Sequence, residues 1–252
     1  MTAPSHTTTA APDLDAVNAD LAEASAVDTV RWAADTAGDG LVLTTSFGVQ
    51  SAVMLHLVTR VRPDVPVIFI DTGFHFAETY RFADQLTDRL RLDLRVYAPD
   101  DSPAWFVARH GQLWASDDPA DRDRYDRLRK VEPMDRALDD LGATAVLAGL
   151  RRQQTDHRRT LRRVETQAGR LKISPLLDWT TRDVHTYLTD HALPYHPLHA
   201  QGYASVGDWH STRPITAGED DRAGRFAGLK QECGLHLPET QAEEDSRSSS
   251  AL

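Results

Sequence analysis

The sequence predicts an α/β fold in which a mostly parallel sheet is covered on both faces by helices. Strand-length apolar runs alternate with helix-length amphipathic stretches, the pattern of strands joined by helical crossovers. The run at 41–45 is largely apolar, as a strand buried on both faces is. With 252 residues, 40% of them hydrophobic, the chain can bury a sizeable core without covalent staples.

In chain order, an Ala-rich helical stretch is expected from Leu14 to Ala37, ended by Gly38 and Gly40. LVLTT at 41–45 reads as a buried strand, followed by the polar loop Ser46 to Ser51 and a helix begun by AVMLHLVTRV. A second strand, 65–71, is introduced by Pro63 and Pro66 and ends in Asp71-Thr72-Gly73. A helix at 77–90, a strand at 92–98 and a helix at 103–110 follow. The charge-dense stretch 116–130 precedes a helix from Pro133 to Leu141 and a strand at 144–150. LKIS at 171–174 and a helix after Asp178, capped by Thr180 or Thr181, lead into a Gly, His and Pro-rich stretch at 191–221 that reads as active-site periphery. Residues 1–13 and 239–252 lack periodic apolar residues and read as disordered tails, leaving a single domain at 14–238.

Composition excludes several functions. With 28 Lys plus Arg against 38 Asp plus Glu, net charge −10, a nucleic-acid binder working through a broad basic face is disfavoured, and only a local basic site stays open. A single cysteine, Cys233, cannot form an intrachain disulfide, a Cys-rich zinc site or a four-thiolate iron–sulfur cluster. The N terminus lacks a basic start with an apolar run behind it, and no stretch nears 18 apolar residues, so a cytoplasmic address without membrane attachment is expected.

Four places carry chemistry. Ser46-Phe47-Gly48-Val49-Gln50-Ser51 joins a strand to a helix N terminus, where free N–H groups favour anions and a glycine admits a phosphate, although a plain polar turn fits the same residues. It is neither GxGxxG nor GxxxxGK[ST]. Asp71-Thr72-Gly73 ends the next strand on the same sheet edge and reads either as a capped turn or as a contact for a ribose or base. The segment 151–163 holds six arginines and one aspartate after a strand end; Arg151, Arg152 and Arg158 suit bidentate phosphate contacts, and Arg162 and Arg163 fit a solvated face. Cys233 stands among Lys230, Glu232, Gly234 and His236, surroundings unlike a core and suited to a reactive thiolate, whereas a lone cysteine elsewhere is an inert hydrophobe.

Seven segments in order, TSFGVQSAV (45–53), DTGFHFAETYRF (71–82), KVEPMDRAL (130–138), GLRRQQTDHR (149–158), YHPL (195–198), GYASVGD (202–208) and GLKQECGLH (228–236), resemble the assimilatory 3′-phosphoadenylyl-sulfate (PAPS) reductases. These are thioredoxin-dependent enzymes of the adenine-nucleotide α-hydrolase-like (PP-loop type) superfamily. The resemblance implies a pyrophosphate-type loop at Ser46, Phe47, Gly48 and Ser51, and an adenine nucleotide across Asp71, Thr72 and Gly73. It further implies a phosphosulfate held by Lys130, Arg158, Arg222 and Arg225, with Arg151 and Arg152 adjacent, and Cys233 as catalytic cysteine on a mobile C-terminal segment, 219–238. His236 is placed with the substrate-binding residues beside that thiol.

A sister group that reduces adenylyl sulfate (APS) carries a four-iron cluster on two cysteine pairs. By the same likeness those positions hold Tyr125, Asp126, Asp208 and Ser211 here, so no cluster, metal or other bound cofactor is expected. The implied reaction releases sulfite and adenosine 3′,5′-bisphosphate through an S-sulfocysteine at Cys233, with thioredoxin or glutaredoxin as the electron donor. A homodimer is what the family suggests. Three alternatives stay open: a cluster-free APS reductase, a PP-loop ATP-dependent adenylyl transferase or pyrophosphatase, and a nucleotide-sensing module.

Overall fold

A computed structural model describes residues 12–216, 218, 219, 223–225 and 235. Six strands form one sheet, β1 (Leu41–Thr45), β2 (Pro66–Ile70), β3 (Asp93–Tyr97), β4 (Ala145–Leu147), β5 (Val164–Gln167) and β6 (Arg170–Ile173), in the spatial order β3-β2-β1-β4-β6-β5. Every pairing is parallel except β5 with β6.

Alternation along the strands sends successive side chains to opposite faces, and each face finds its own helices. Leu41 and Leu43 of β1, Val67 and Phe69 of β2, and Ala145 and Leu147 of β4 enter the larger core. That core is shared with α2 (Ala26–Ala37), α3 (Ser51–Thr59), α4 (Ala77–Leu90) and α9 (Thr181–Asp190). Val42, Ile68 and Ile70 pack on the other face against Met134, Ala137 and Leu138 of α7 (Glu132–Asp140). The covered parallel sheet expected from strands alternating with helices is therefore present.

One local expectation is corrected and two elements are added. The helical stretch Leu14–Ala37 is two helices, α1 (Leu14–Asp20) and α2. Asp13 caps the first, and Ser25 starts the second by accepting from the Asp28 N–H, so a strong cap inside the Ala-rich run overrides its propensity. The charge-dense segment 116–130 is helical, α6 (Pro119–Asp126) running into a π-helical turn at Arg127–Val131. Pro133 lacks the N–H that Arg129's carbonyl would receive in an unbroken α-helix, which accounts for the widened turn. Strand β5 is an addition: its residues, VETQ, do not alternate, and its hairpin turns on Ala168 and Gly169 with φ 49° and 74°, a geometry in which alanine hides the usual glycine signal.

Strands β2 and β3 lie to one side of β1 and β4 to the other, so the chain reverses its winding direction between β1 and β4. In open parallel sheets this switch point opens a crevice at the strand carboxyl ends.

Candidate active site

The loop after β1 and the loop after β4 meet at that crevice. Arg151 Nη2 donates to Gln50 Oε1 at 2.7 Å, and its Nη1 reaches Thr181 Oγ1 at 3.5 Å, which ties the Ser46 loop, the Arg151 segment and the start of α9 together. In the loop, Phe47 is fully buried with φ 46°, a left-handed backbone that an L-residue adopts only when its surroundings enforce it. Its ring lies edge-on to Phe69 of β2 at 5.1 Å, and its N–H donates to Thr45 Oγ1. Burying that ring turns Ser46 outward and leaves Gly48 half-buried. Ser51 Oγ, at the N terminus of α3, is buried and has no hydrogen-bond partner among the described residues.

Arg158 is 5% exposed on the four-residue helix α8 (Asp156–Arg159), and its guanidinium bonds to Gln154 Oε1. Its neighbours in sequence behave differently. Arg152 pairs with Asp178 and donates to the Leu161 carbonyl at 3.1 Å. Arg163 takes the other oxygen of the same carboxylate at 2.8 Å; it is 9% exposed, so it is a buried structural cation and not the solvated face expected of it. Arg162 does lie on the surface, paired with Asp15 at 2.8 Å.

At the end of β2, the Asp71 carboxylate caps its own turn: Oδ1 accepts from the Gly73 N–H at 2.8 Å and from Tyr80 Oη at 2.7 Å. Burial, and then this bond, push the Tyr80 hydroxyl above its ordinary pKa. Gly73 has φ 75°, and a Cβ there would lie 2.5 Å from Pro103 Cγ, so both backbone and space require glycine. Thr72 is held on two sides. Its carbonyl accepts from Arg129 Nε at 3.1 Å, and its hydroxyl donates to Asp208 Oδ1 at 2.5 Å.

Lys130 lies in this second cluster. It is 7% exposed, with Nζ 2.7 Å from Asp126 Oδ1 and 2.9 Å from Asp208 Oδ2. Tyr125 Oη donates to Asp208 Oδ2 at 3.1 Å and lies 2.9 Å from His210 Nε2, while the His210 ring stacks on Trp114. Burial pushes the Asp208 carboxyl up, but Lys130, His75 and the Thr72 hydroxyl outweigh it and hold the group below the ordinary carboxylate range. Burial lowers His210 to about 4, leaving it neutral at pH 7. Three of the four positions read as lacking cluster cysteines, Tyr125, Asp126 and Asp208, thus meet around one lysine; Ser211 lies beside them, its Oγ on the Asp208 carbonyl at 3.3 Å.

Arg225 is brought to the edge of this cluster. A single antiparallel bridge joins it to Thr212, its Nη1 reaches Ser205 Oγ at 3.5 Å, and its guanidinium lies so close over Gly207 that a Cβ there would come within 2.5 Å of Cζ. Cys233, Arg222 and His236, with Lys230, lie outside the described residues. Sequence reasoning missed Gln50, Arg129 and the positive role of Asp208. Arg129 is 1% exposed and sandwiched against Phe74 and Phe106, with nothing in its charge-dense surroundings to set it apart from the solvated arginines nearby. Among the described residues, no group of three or more His, Cys, Asp or Glu side chains is arranged to hold a metal ion, and no helix is long and apolar enough to cross a membrane.

A mostly parallel six-stranded sheet with helices on both faces and a loop without a Walker or dinucleotide signature at its switch point defines an α/β protein of the PP-loop, adenine-nucleotide α-hydrolase-like fold class. The FMN adenylyltransferase of Candida glabrata shares this fold alone, with a TM-score of 0.54 at 15% identity over 96% of this chain and 84% of that one. Residues 40–214 match the phosphoadenosine phosphosulfate reductase domain, and the chain belongs to that family. It is 59% identical to a phosphoadenosine 5′-phosphosulfate reductase of Synechococcus sp. over 90% of this chain and 98% of the relative. Identity to the enzyme of that name from Synechocystis sp. is 55%, over 98% and 100%. A crystal structure of phosphoadenylyl-sulfate reductase from Candida auris, a phosphate complex, superposes with a TM-score of 0.69 at 38% identity, covering 79% of this chain and 96% of that one.

Proposed function

We propose that this chain reduces 3′-phosphoadenylyl sulfate to sulfite and adenosine 3′,5′-bisphosphate at the expense of a thioredoxin-type dithiol, as a step of sulfate assimilation. The observation that carries the reading is the β1/β4 crevice of a family member, where Arg151, from the segment after β4, grips Gln50 at the end of the Ser46 loop. Gln50 and Gln154 orient Arg151 and Arg158 through amide oxygens that bring no charge of their own. Phosphate oxygens bind such guanidinium groups bidentately.

The chemistry assigned to Cys233 rests on the sequence. Its thiolate attacks the terminal sulfur, the sulfur–oxygen bond to the phosphate breaks, and the nucleotide leaves with that electron pair. Cationic groups are required because thiolate and sulfate repel and charge grows on the leaving phosphate. The resulting S-sulfocysteine has no second cysteine in the chain to resolve it. A thiolate from the external dithiol therefore attacks the Cys233 sulfur and expels sulfite. The dithiol's second thiol then closes its own disulfide, freeing Cys233 and supplying both electrons.

Intact-protein mass spectrometry after mixing with PAPS, without reductant, tests the scheme. A sulfonate adduct should accumulate on the wild type and be lost with Cys233→Ser, which should also release no sulfite. Substrate consumption with no adduct would sink the mechanism.

A further inference from the structure

We propose that Asp208 is a positioning residue for the nucleotide site: it fixes the end of β2 and the turn beneath Arg225 as one unit. This inference rests on the functional reading above, since it assigns the β2 edge to the nucleotide.

Asp208 is 1% exposed, and each oxygen has a distinct task. Oδ1 takes the Thr72 hydroxyl, and Oδ2 takes Lys130 and Tyr125. The backbone repeats the connection. His75 and Asp208 form an antiparallel bridge, and the Trp209 N–H donates to the Phe74 carbonyl at 2.8 Å. On its far side the same turn supports the Arg225 guanidinium over Gly207 and meets the Arg225 backbone at Thr212. One carboxylate therefore lies between the peptide edge Asp71–Gly73 and the chain that leads on towards Cys233.

What only Asp208 supplies is the bond to Thr72, whose hydroxyl is buried and also accepts from the Phe74 N–H at 3.2 Å. Lys130 in turn anchors the carboxylate, so it acts on the nucleotide site through Asp208.

The test is calorimetric titration of adenosine 3′,5′-bisphosphate into the full chain and its variants, with melting temperatures recorded. Asp208→Asn and Thr72→Val should each weaken binding by about tenfold, the worth of one charge-assisted hydrogen bond. Thr72→Ser should restore wild-type affinity because it restores the hydroxyl. The double variant Thr72→Val/Asp208→Asn should bind no worse than either single one, since both break one connection. Wild-type affinity in folded Asp208→Asn or Thr72→Val, failure of Thr72→Ser to rescue, or additive losses in the double variant would each overturn the proposal. Should Asp208→Asn fail to fold, the Thr72 pair decides alone. A wild type that does not bind the nucleotide overturns the functional reading and this inference with it; a wild type that binds beside unaffected variants overturns only the inference.

Discussion

Two groups of buried cations stand at the same edge of the sheet and are held by opposite means. At the β1/β4 crevice, amide oxygens of Gln50 and Gln154 orient Arg151 and Arg158. At the end of β2, carboxylates of Asp126 and Asp208 hold Lys130, and the exposed Asp178 pairs with half-exposed Arg152 and buried Arg163. A neutral amide sets a guanidinium's direction without neutralising it, whereas a buried carboxylate holds a cation by opposite charge. Lys130, expected from the resemblance as a phosphosulfate ligand, is held by two carboxylates, and Arg152, expected beside that group, pairs with Asp178.

The sharpest way to break this comparison is Lys130→Met. It leaves two buried carboxylates around one vacated point, and the loss expected for an uncompensated buried charge is about 3–5 kcal/mol. Chemical denaturation should show it as a lower midpoint; an unchanged midpoint would mean that Lys130 is free to serve a ligand.

The pH dependence of stability should come next. Burial lowers His196 and His210 to about 4, below the ordinary histidine value, so the unfolded chain binds protons at these sites before the folded one does. Their stabilising contribution is complete above about pH 6.5 and falls as pH drops towards 4, by on the order of a few kcal/mol in total. Asp208, held below the carboxylate range, contributes fully above about pH 4 and loses its share only below that. Denaturation midpoints taken from pH 7.5 to 4 should slope downward, and His196→Gln should flatten the slope. A flat profile in the wild type would remove the buried, neutral histidines from the account.

Arg151→Lys keeps the charge and loses the planar fork. A drop of about tenfold in kcat/KM for PAPS, carried mostly by KM, is expected from one lost charged hydrogen bond. Stopped sulfite-release assays with a reduced dithiol would measure it; an unchanged KM would take Arg151 out of the crevice's anion site.

The smallest effect belongs to Arg152→Ala. Its side chain and that of Asp178 are 41% and 46% exposed, and solvent screens such a pair to within about 1 kcal/mol of stability. Its KM should match the wild type. A raised KM would return Arg152 to the substrate-binding residues expected from sequence.

Legibility in the sequence followed how local the signal was. Strands β1 and β2, α4 at 77–90 and α5 (Pro103–His110) were readable because apolar runs, Pro and Gly punctuation and caps all act within a few residues. Edge strand β5 was not, since it is paired on one side only and its turn uses Ala168 where glycine would have announced it. In the site, Ser46 to Ser51 and Arg151 could be picked out by their place after a strand. Arg129 could not: it is one arginine in a charged helix, and its burial depends on Phe74 and Phe106 reaching it from other segments.

The sequence by itself determined the parallel covered sheet, the strand–loop–helix unit after β1, the family, and the single thiol that obliges any disulfide chemistry to involve a second molecule. Those properties follow from periodicity, from motifs a few residues long and from a count, none of which needs distant contacts. Only the tertiary structure decided which partner each basic residue meets. Lys130 and Asp208 are 78 positions apart in the chain, and Arg151 meets Gln50 from the other side of the switch point. Whether a cation faces a carboxylate or an amide is set by those long-range meetings, which no local stretch of sequence contains.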